Sequence, residues 1–117
     1  MKYMLMIYNN PAAVSAMGED LDAVWAEVDT LVTELTASGE LLGGEALADP
    51  ADAKTVKLRD GVPVVTDGPF GEAKEHLAGY CLLECESLER ALEIAARWPD
   101  ARFNGVELRP LVAEPGT

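Results

Sequence analysis

The chain has 117 residues, a mass of 12.5 kDa and a formal net charge of -12, from 21 acidic and 9 basic residues. This length supports one hydrophobic core and excludes a multidomain architecture, and the apolar fraction of 49% excludes a disordered chain. The negative charge disfavours binding to nucleic acid or to anionic lipid. We therefore expect one domain over residues 1–117, with neither nucleic acid nor a membrane as a partner.

The first predicted element is a strand over Lys2–Asn9 with two apolar faces. One face carries Tyr3, Leu5 and Ile7, and the other carries Met4, Met6 and Tyr8. The apolar run is too short for a secretion signal or a membrane span, so we expect a cytoplasmic protein.

Apolar side chains then recur at helical spacing, which predicts an amphipathic helix over Asp20–Ser38. Gly39 follows at the position where a glycine commonly ends a helix. The predicted apolar stripe consists of Leu21, Val24, Trp25, Val28, Leu31, Val32 and Leu35.

The middle of the chain predicts a short or bulged strand and a hairpin. Leu41–Leu47 contains the pair Gly43-Gly44, which is typical of a bulge or turn. Lys54–Arg59 and Val62–Val65 alternate in polarity and are joined by the favoured hairpin turn Asp60-Gly61. Pro63 lies within the second of these strands and places it at an edge.

A polar loop over Asp67–Glu75 precedes the last three elements. Leu77–Glu86 is predicted as a strand with two largely apolar faces, and Ser87 as the N-cap of a helix over Leu88–Trp98. The predicted inward side chains of that helix are Leu88, Ala91, Leu92, Ala95 and Trp98. Gly105–Pro110 supplies the last strand.

This order of elements predicts an α+β, ferredoxin-like sandwich with two helices on one face of an antiparallel sheet. The other face would expose an apolar patch that is large for a monomer, which indicates a homodimer. The patch consists of Met4, Met6, Tyr8, Tyr80 and Leu82.

Two cysteines, Cys81 and Cys85, lie four residues apart in the predicted strand. Such residues are separated by about 13 Å, beyond the roughly 7 Å that a disulfide allows. Two cysteines and one histidine also fall short of the four ligands of a closed zinc site. We expect free thiols, no metal and no cofactor.

Val65–Phe70 followed by Glu72–Glu75 resembles the signature of the DGPF-domain family, which is related to the YCII proteins. Further segments that look like the same family are Met1–Tyr8, Gly39–Gly44, Gly79-Tyr80, Ser87–Ala91 and Val106–Leu111. The resemblance covers nearly the whole chain. It implies a ferredoxin-like dimeric α+β barrel in which the two sheets face each other.

The resemblance implies less about chemistry. Related YCII proteins carry a His and an Asp proposed as a catalytic pair, with the His in the first helix; this helix contains Trp25 and no histidine, so the pair is not transferred. The wider group is linked to small-molecule lyase or dehydrochlorinase chemistry, and DGPF proteins to extracytoplasmic-function sigma factors. A sigma factor or its regulator is therefore a candidate protein partner.

Asp67, Lys74 and Glu75 are the candidate catalytic residues. Asp67 is a candidate general base at the barrel mouth, or part of a structural turn with Gly68-Pro69. Lys74 and Glu75 fit acid–base work or the binding of an anionic substrate, although a solvated charge run is the default interpretation of such residues. His76 lies beside them, outside the family signature.

Arg109, Tyr80 and Tyr8 are the candidate substrate-binding residues. Glu107 and Arg109 point to the same face of the last strand, where they form an ion pair across a dimer. Alternatively, Arg109 clamps a carboxylate or phosphate while Tyr80 and Tyr8 supply hydroxyls. We further predict that Asp67 and Arg109 meet at one polar pocket.

Two functions remain open from the sequence. One is a dimeric protein that handles a small polar or anionic metabolite by lyase- or isomerase-type acid–base chemistry. The other is a non-catalytic module that senses a ligand or contacts a protein such as a sigma factor. A polar cavity that holds a titrating group with a perturbed pKa would favour the enzyme.

Overall fold

A computed structural model describes residues 1–10, 12, 14, 16, 18, 20–70 and 75–112. The strands and helices of this part are β1 (Lys2–Asn9), α1 (Asp20–Ser38), β2 (Leu41–Ala46), β3 (Lys54–Arg59), β4 (Val62–Asp67), β5 (His76–Glu84), α2 (Leu88–Arg97) and β6 (Val106–Pro110). Short 3-10 turns follow β2 at Pro50–Asp52 and α2 at Pro99–Arg102.

Four strands form one antiparallel sheet in the order β2-β5-β1-β6. This order is that of a ferredoxin-like sandwich, with β3 and β4 inserted between the second and third strands of the sheet, so the predicted α+β class is confirmed. Tyr3, Leu5, Cys81 and Leu83 lie on one face of the sheet, in a single buried cluster with side chains of both helices. Both helices therefore cover the same face.

The apolar stripe of α1 is less buried than its spacing predicts. Only Leu31 and Leu35 are buried, whereas Trp25 is 51% exposed and Val32 is exposed as well. The C-terminal half of the helix packs on the sheet, and the N-terminal half stands over the strand pair β2 and β5 without filling the space beneath it.

The inward face of α2 differs from the prediction in two side chains. Leu88 and Leu92 are half exposed, and the residue that packs into the core instead is Ile94. The buried stripe consists of Ala91, Ile94, Ala95 and Trp98. Ser87 begins the helix as predicted, because its hydroxyl accepts a hydrogen bond of 3.1 Å from the backbone N–H of Arg90.

Two irregularities interrupt the sheet. The register of β2 against β5 shifts between Leu41 and Gly43, which confirms a bulge at the glycine pair. A Cβ atom at Gly44 would collide with the carbonyl oxygen of Tyr80, so only glycine allows this close approach of the two strands. The second shift occurs where Tyr8 pairs with Leu77 and leaves Ala78 unpaired with β1.

The strands β3 and β4 form a separate two-stranded sheet. Asp60 and Gly61 both have positive φ, 51° and 78°, as the predicted tight turn requires. The Cα radius of gyration of the chain is 16.4 Å, whereas a compact domain of this length has about 13 Å. The hairpin therefore projects from the body, and we call Lys54–Asp67 the hairpin arm.

The uncovered side of the four-stranded sheet, which we call the open face, carries two rows of side chains across the strands. The first row consists of Arg109, Met4, Leu82 and Gly43, and the second row consists of Glu107, Met6, Tyr80 and Glu45. The four central side chains are apolar or aromatic and half buried, and the charged ones lie at the two edges. An apolar centre with a charged rim is typical of a protein interface.

Both cysteines are free and buried, as predicted. None of the helices in the described part of the chain has the length and apolar character that a membrane crossing requires.

Candidate functional site

A pocket of about 580 Å³ lies between α1 and the half of the sheet formed by β2 and β5. Its volume is in the range of small-molecule sites. Leu41, Val28 and Ile7 form apolar walls, and the half-exposed rings of Trp25 (51%) and Phe103 (49%) mark its mouth. The pocket is therefore lined mainly by hydrocarbon and aromatic surface.

Glycines explain why this space is empty. Gly44 and Gly79 lie on the helix-covered side of the sheet, since Gly44 pairs with Cys81 and Gly79 alternates with it along β5. A strand position without a side chain leaves the space beneath a helix unfilled. A Cβ at Gly79 would approach the backbone oxygen of Glu45 to 3.0 Å, so larger residues are disfavoured there.

Asp100 lies in the 3-10 turn after α2 and lines this pocket. Burial raises the pKa of its carboxyl group, against the opposing effects of a backbone hydrogen bond and of Arg102. Its backbone carbonyl accepts hydrogen bonds from the N–H groups of Phe103, at 3.1 Å, and Gly105, at 2.9 Å. These bonds fix the backbone of the turn at Asp100.

The turn that carries Asp100 is tied to α1. Arg102 donates two hydrogen bonds to the carboxylate of Glu27, at 2.9 and 3.1 Å, and its guanidinium lies 5.6 Å from the ring centre of Phe103. This contact joins the turn to α1, and both Trp25 of α1 and Phe103 beside the turn line the pocket.

Cys81 is a further ionisable residue of the helix-covered side of the sheet that lines the pocket. Burial raises the pKa of the Cys81 thiol to about 11, so this group stays protonated at neutral pH and is a poor nucleophile. Glu45 of the edge strand β2 also borders the pocket, but it is exposed and its side chain lies on the open face beside Tyr80. Within residues 1–10, 20–70 and 75–112, no group of three or more metal-binding side chains comes together.

The candidate catalytic residues lie away from this pocket. Asp67 ends β4, is strongly exposed and forms an ion pair with Lys54 across the hairpin arm. Glu75 is exposed just before β5, and Lys74 lies outside the described residues. The described contacts do not bring these side chains together.

The signature loop instead closes the base of the hairpin arm. Gly68 has a φ of 91° and donates its N–H to the carbonyl of Ala53 at 2.7 Å, while its own carbonyl accepts a 2.7 Å hydrogen bond from the buried Thr55 hydroxyl. This geometry fits the structural interpretation of Asp67-Gly68 as a turn. Phe70 is exposed, and its ring centre lies 5.5 Å from the Lys57 ammonium group.

The candidate binding residues share the open face. Arg109 pairs with Met4, and its guanidinium contacts the neighbouring carboxylate of Glu107 at 2.8 Å within the same chain. Tyr80 lies in the central row and also borders the pocket. The Tyr8 hydroxyl lies 3.9 Å from the sulfur of Met6. Asp67 and Arg109 have different ionic partners, and a ligand common to both stays a prediction.

Sequence reasoning missed Asp100, Phe103 and the pocket itself. The available signal was the combination of large aromatic residues near the two helices with glycines in the strands beneath α1. This signal does not predict that the Asp100 carboxyl group is buried, because the burial of Asp100 depends on how the turn after α2 meets α1.

Comparisons with known proteins agree with this fold. Residues 1–114 match the YCII-related domain. An uncharacterised protein of Rhizobium meliloti (strain 1021) is 32% identical over 114 residues, which cover 95% of this chain and 92% of that protein.

Among solved structures, 5-chloro-2-hydroxyhydroquinone dehydrochlorinase from Burkholderia phenoliruptrix AC1100, in complex with 2,5-dihydroxybenzoquinone, is similar with a TM-score of 0.51. The similarity covers 97% of this chain and 96% of that one at 11% identity, which shows a shared fold alone. The resemblance drawn from the sequence is confirmed, and the chain belongs to the YCII-related domain family.

Proposed function

We propose that this protein binds a small, ring-shaped organic molecule in the pocket beneath α1, with Asp100 as its acid–base group. The observation that carries the proposal is the half-buried carboxyl group of raised pKa in an otherwise apolar and aromatic pocket. A titrating group that burial perturbs inside a concave apolar site is typical of a functional site.

The lining indicates the chemistry of the ligand. Trp25 and Phe103 offer ring faces for stacking at the mouth, and Asp100 can accept a proton or a hydrogen bond from a hydroxyl group. The Asp100 carboxylate would repel an anion. The pocket therefore favours an uncharged hydroxylated ring over the polar or anionic metabolite that the sequence predicts.

The reaction type follows from the same group. A carboxylate with a raised pKa is a better base than an exposed one and can abstract a proton in lyase or isomerase chemistry. The dehydrochlorinase of the same fold, solved with a hydroxylated quinone, supports hydroxylated rings as the first class to test. If such rings bind without turnover, the pocket belongs to the ligand-sensing module instead; a sigma factor as its partner stays a prediction.

Resorcinol, an uncharged dihydroxylated ring, tests the proposal, with benzoate as an anionic ring of similar size. Resorcinol should raise the melting temperature and quench tryptophan fluorescence through Trp25, whereas benzoate should do neither. Asp100→Asn should weaken resorcinol binding, and Asp29→Asn, an exposed carboxyl group on α1, serves as the matched control.

Asp67→Asn tests whether ligand binding depends on the Asp67-Gly68 loop rather than on the pocket that contains Asp100. Loss of ligand binding in Asp67→Asn together with normal binding in Asp100→Asn would assign the site to the loop and reject the pocket. Equal binding of resorcinol and benzoate would reject the ligand class.

The open face supports the further proposal of a homodimer of the dimeric α+β barrel type. Its central side chains Met4, Met6, Tyr80 and Leu82 are half exposed in the isolated chain, and a second sheet placed against them would bury them. Such an interface should bury more than about 1,000 Å² in total.

A further inference from the structure

The hairpin arm carries an apolar face that this chain leaves uncovered. The strand register places Val56 beside Val65 and Leu58 beside Pro63, so these four side chains lie on one side of the arm. Val56 is 56%, Leu58 71% and Val65 60% exposed. A two-stranded hairpin is marginally stable in water by itself, and exposed apolar clusters of this kind mark an interaction surface.

Hydrogen bonds close the base of the arm. Thr55 is the buried polar residue of β3, and its hydroxyl contacts the carbonyl of Gly68, while the Gly68 N–H bonds to Ala53. These hydrogen bonds tie the two strands together where they leave the body. An arm that is already ordered loses little conformational entropy when it binds a partner.

The charge of the arm differs from that of the rest of the chain. The arm has three basic residues, Lys54, Lys57 and Arg59, and two acidic residues, Asp60 and Asp67, for a net charge of +1. The remaining residues include six basic and 19 acidic ones, for a net charge of -13. The body of a second copy therefore attracts the arm while it repels another body.

We propose that the hairpin arm docks on the body of a second copy of this chain, in a symmetric exchange that adds to the contact of the two open faces. In the chain, the arm is inserted between β2, which is an edge strand of the four-stranded sheet, and β5. In this proposal the Asp67-Gly68 loop closes the base of the arm rather than contacting a substrate.

Leu58→Glu tests the arm, with Leu92→Glu as the matched control, because Leu92 is also an exposed leucine and lies on α2, away from the arm. Dimer dissociation, followed by light scattering over a dilution series, should become at least about tenfold easier in Leu58→Glu, since a carboxylate would enter an apolar contact. Leu92→Glu should dissociate as the unchanged protein does. Circular dichroism and the melting temperature establish that both variants are folded.

Cross-linking of mixed dimers made from unlabelled and 15N-labelled chains provides the second measurement. A lysine-reactive cross-linker should join Lys54 or Lys57 of one copy to the body of the other, which appears as a peptide pair of mixed isotope content. Cross-links of the arm only within one copy, or an unchanged dissociation constant in Leu58→Glu, would overturn the proposal. If mutation of the open face dissociates the dimer and mutation of the arm does not, the arm proposal is rejected while the barrel dimer is supported. Resorcinol binding is measured separately, because it tests the pocket and not the dimer.

Discussion

The Arg90 guanidinium donates two hydrogen bonds to the Glu40 carboxylate, from Nε at 2.7 Å and from Nη2 at 2.9 Å. Ser38 donates a third, of 2.9 Å, and the backbone carbonyl of Glu40 accepts one of 2.8 Å from Glu84. This group joins the end of α1 to the start of α2 and to the end of β5. The hydrogen bonds from Arg90 lower the pKa of Glu40 from 4.5 to about 2.

The lowered pKa of Glu40 predicts a dependence of stability on pH. Because the folded state prefers the ionised form, the stabilisation is fully present above pH 4.5 and is lost as the pH falls towards 2. Glu40→Gln should therefore lower the melting temperature at pH 7, by roughly 3–6 °C for a domain of this size, and should differ little from the unchanged protein near pH 2. Calorimetric scans from pH 2 to 7 measure this. Glu93→Gln, which removes a single exposed contact to Arg90, should have a smaller effect.

Ionisation of Asp100 should destabilise the folded protein, whereas ionisation of Glu40 stabilises it. Its pKa is raised above 3.8 in the folded state, so the unfolded chain ionises first as the pH rises and the folded state becomes less stable. Asp100→Asn should therefore raise the melting temperature at pH 7, and the difference should disappear below about pH 4. A variant less stable at pH 7 than the unchanged protein would contradict the buried position of this carboxyl group.

Cys81 and Cys85 should react slowly in the folded protein. Burial raises the pKa of Cys81 from 9.0 to about 11 and, with the nearby Glu40 carboxylate, raises that of Cys85. The thiolate fraction of Cys81 at pH 8 is then about 100-fold lower than in an unfolded chain. Iodoacetamide labelling followed by mass spectrometry should modify both cysteines quickly in denaturant and neither without it. A ligand in the pocket should protect Cys81 further.

Met6→Glu should dissociate the proposed barrel dimer. Met6 lies at the centre of the open face, between Tyr80 and Glu107, where a second sheet would leave an added carboxylate without a partner. Light scattering at micromolar concentration should give the 12.5 kDa mass of one chain for this variant and twice that mass for the unchanged protein. A single-chain mass for the unchanged protein would reject the dimer itself.

Local sequence patterns were sufficient to predict the strands, helices and turns named here. The alternation in β1, the helical spacing that ends at Gly39, the Ser87 cap and the Asp60-Gly61 turn all depend on neighbours in sequence, and the structure places each of them as predicted. The sheet order followed from the order of elements, because few topologies satisfy short connections and one covered face.

The burial of individual side chains on the helices was harder to predict from the sequence. Helical spacing alone could not distinguish Leu92 from Ile94 on α2, because an amphipathic stripe is wide and the sheet contacts only its centre. The tilt of α1 over the sheet likewise decides that Leu35 is buried while Trp25 stands at the edge of a pocket.

The sequence by itself determined the fold class, the free cysteines, the hairpin and the two apolar sides of the sheet, because each depends on residue type and short-range spacing. Only the tertiary structure decided that Asp67 and Arg109 have separate ionic partners and that Asp100 is half buried beside Phe103. The physical reason is that a pocket is a space between elements. Its shape depends on helix tilt, on strand bulges and on missing side chains at Gly44 and Gly79, which act together across residues far apart in the chain.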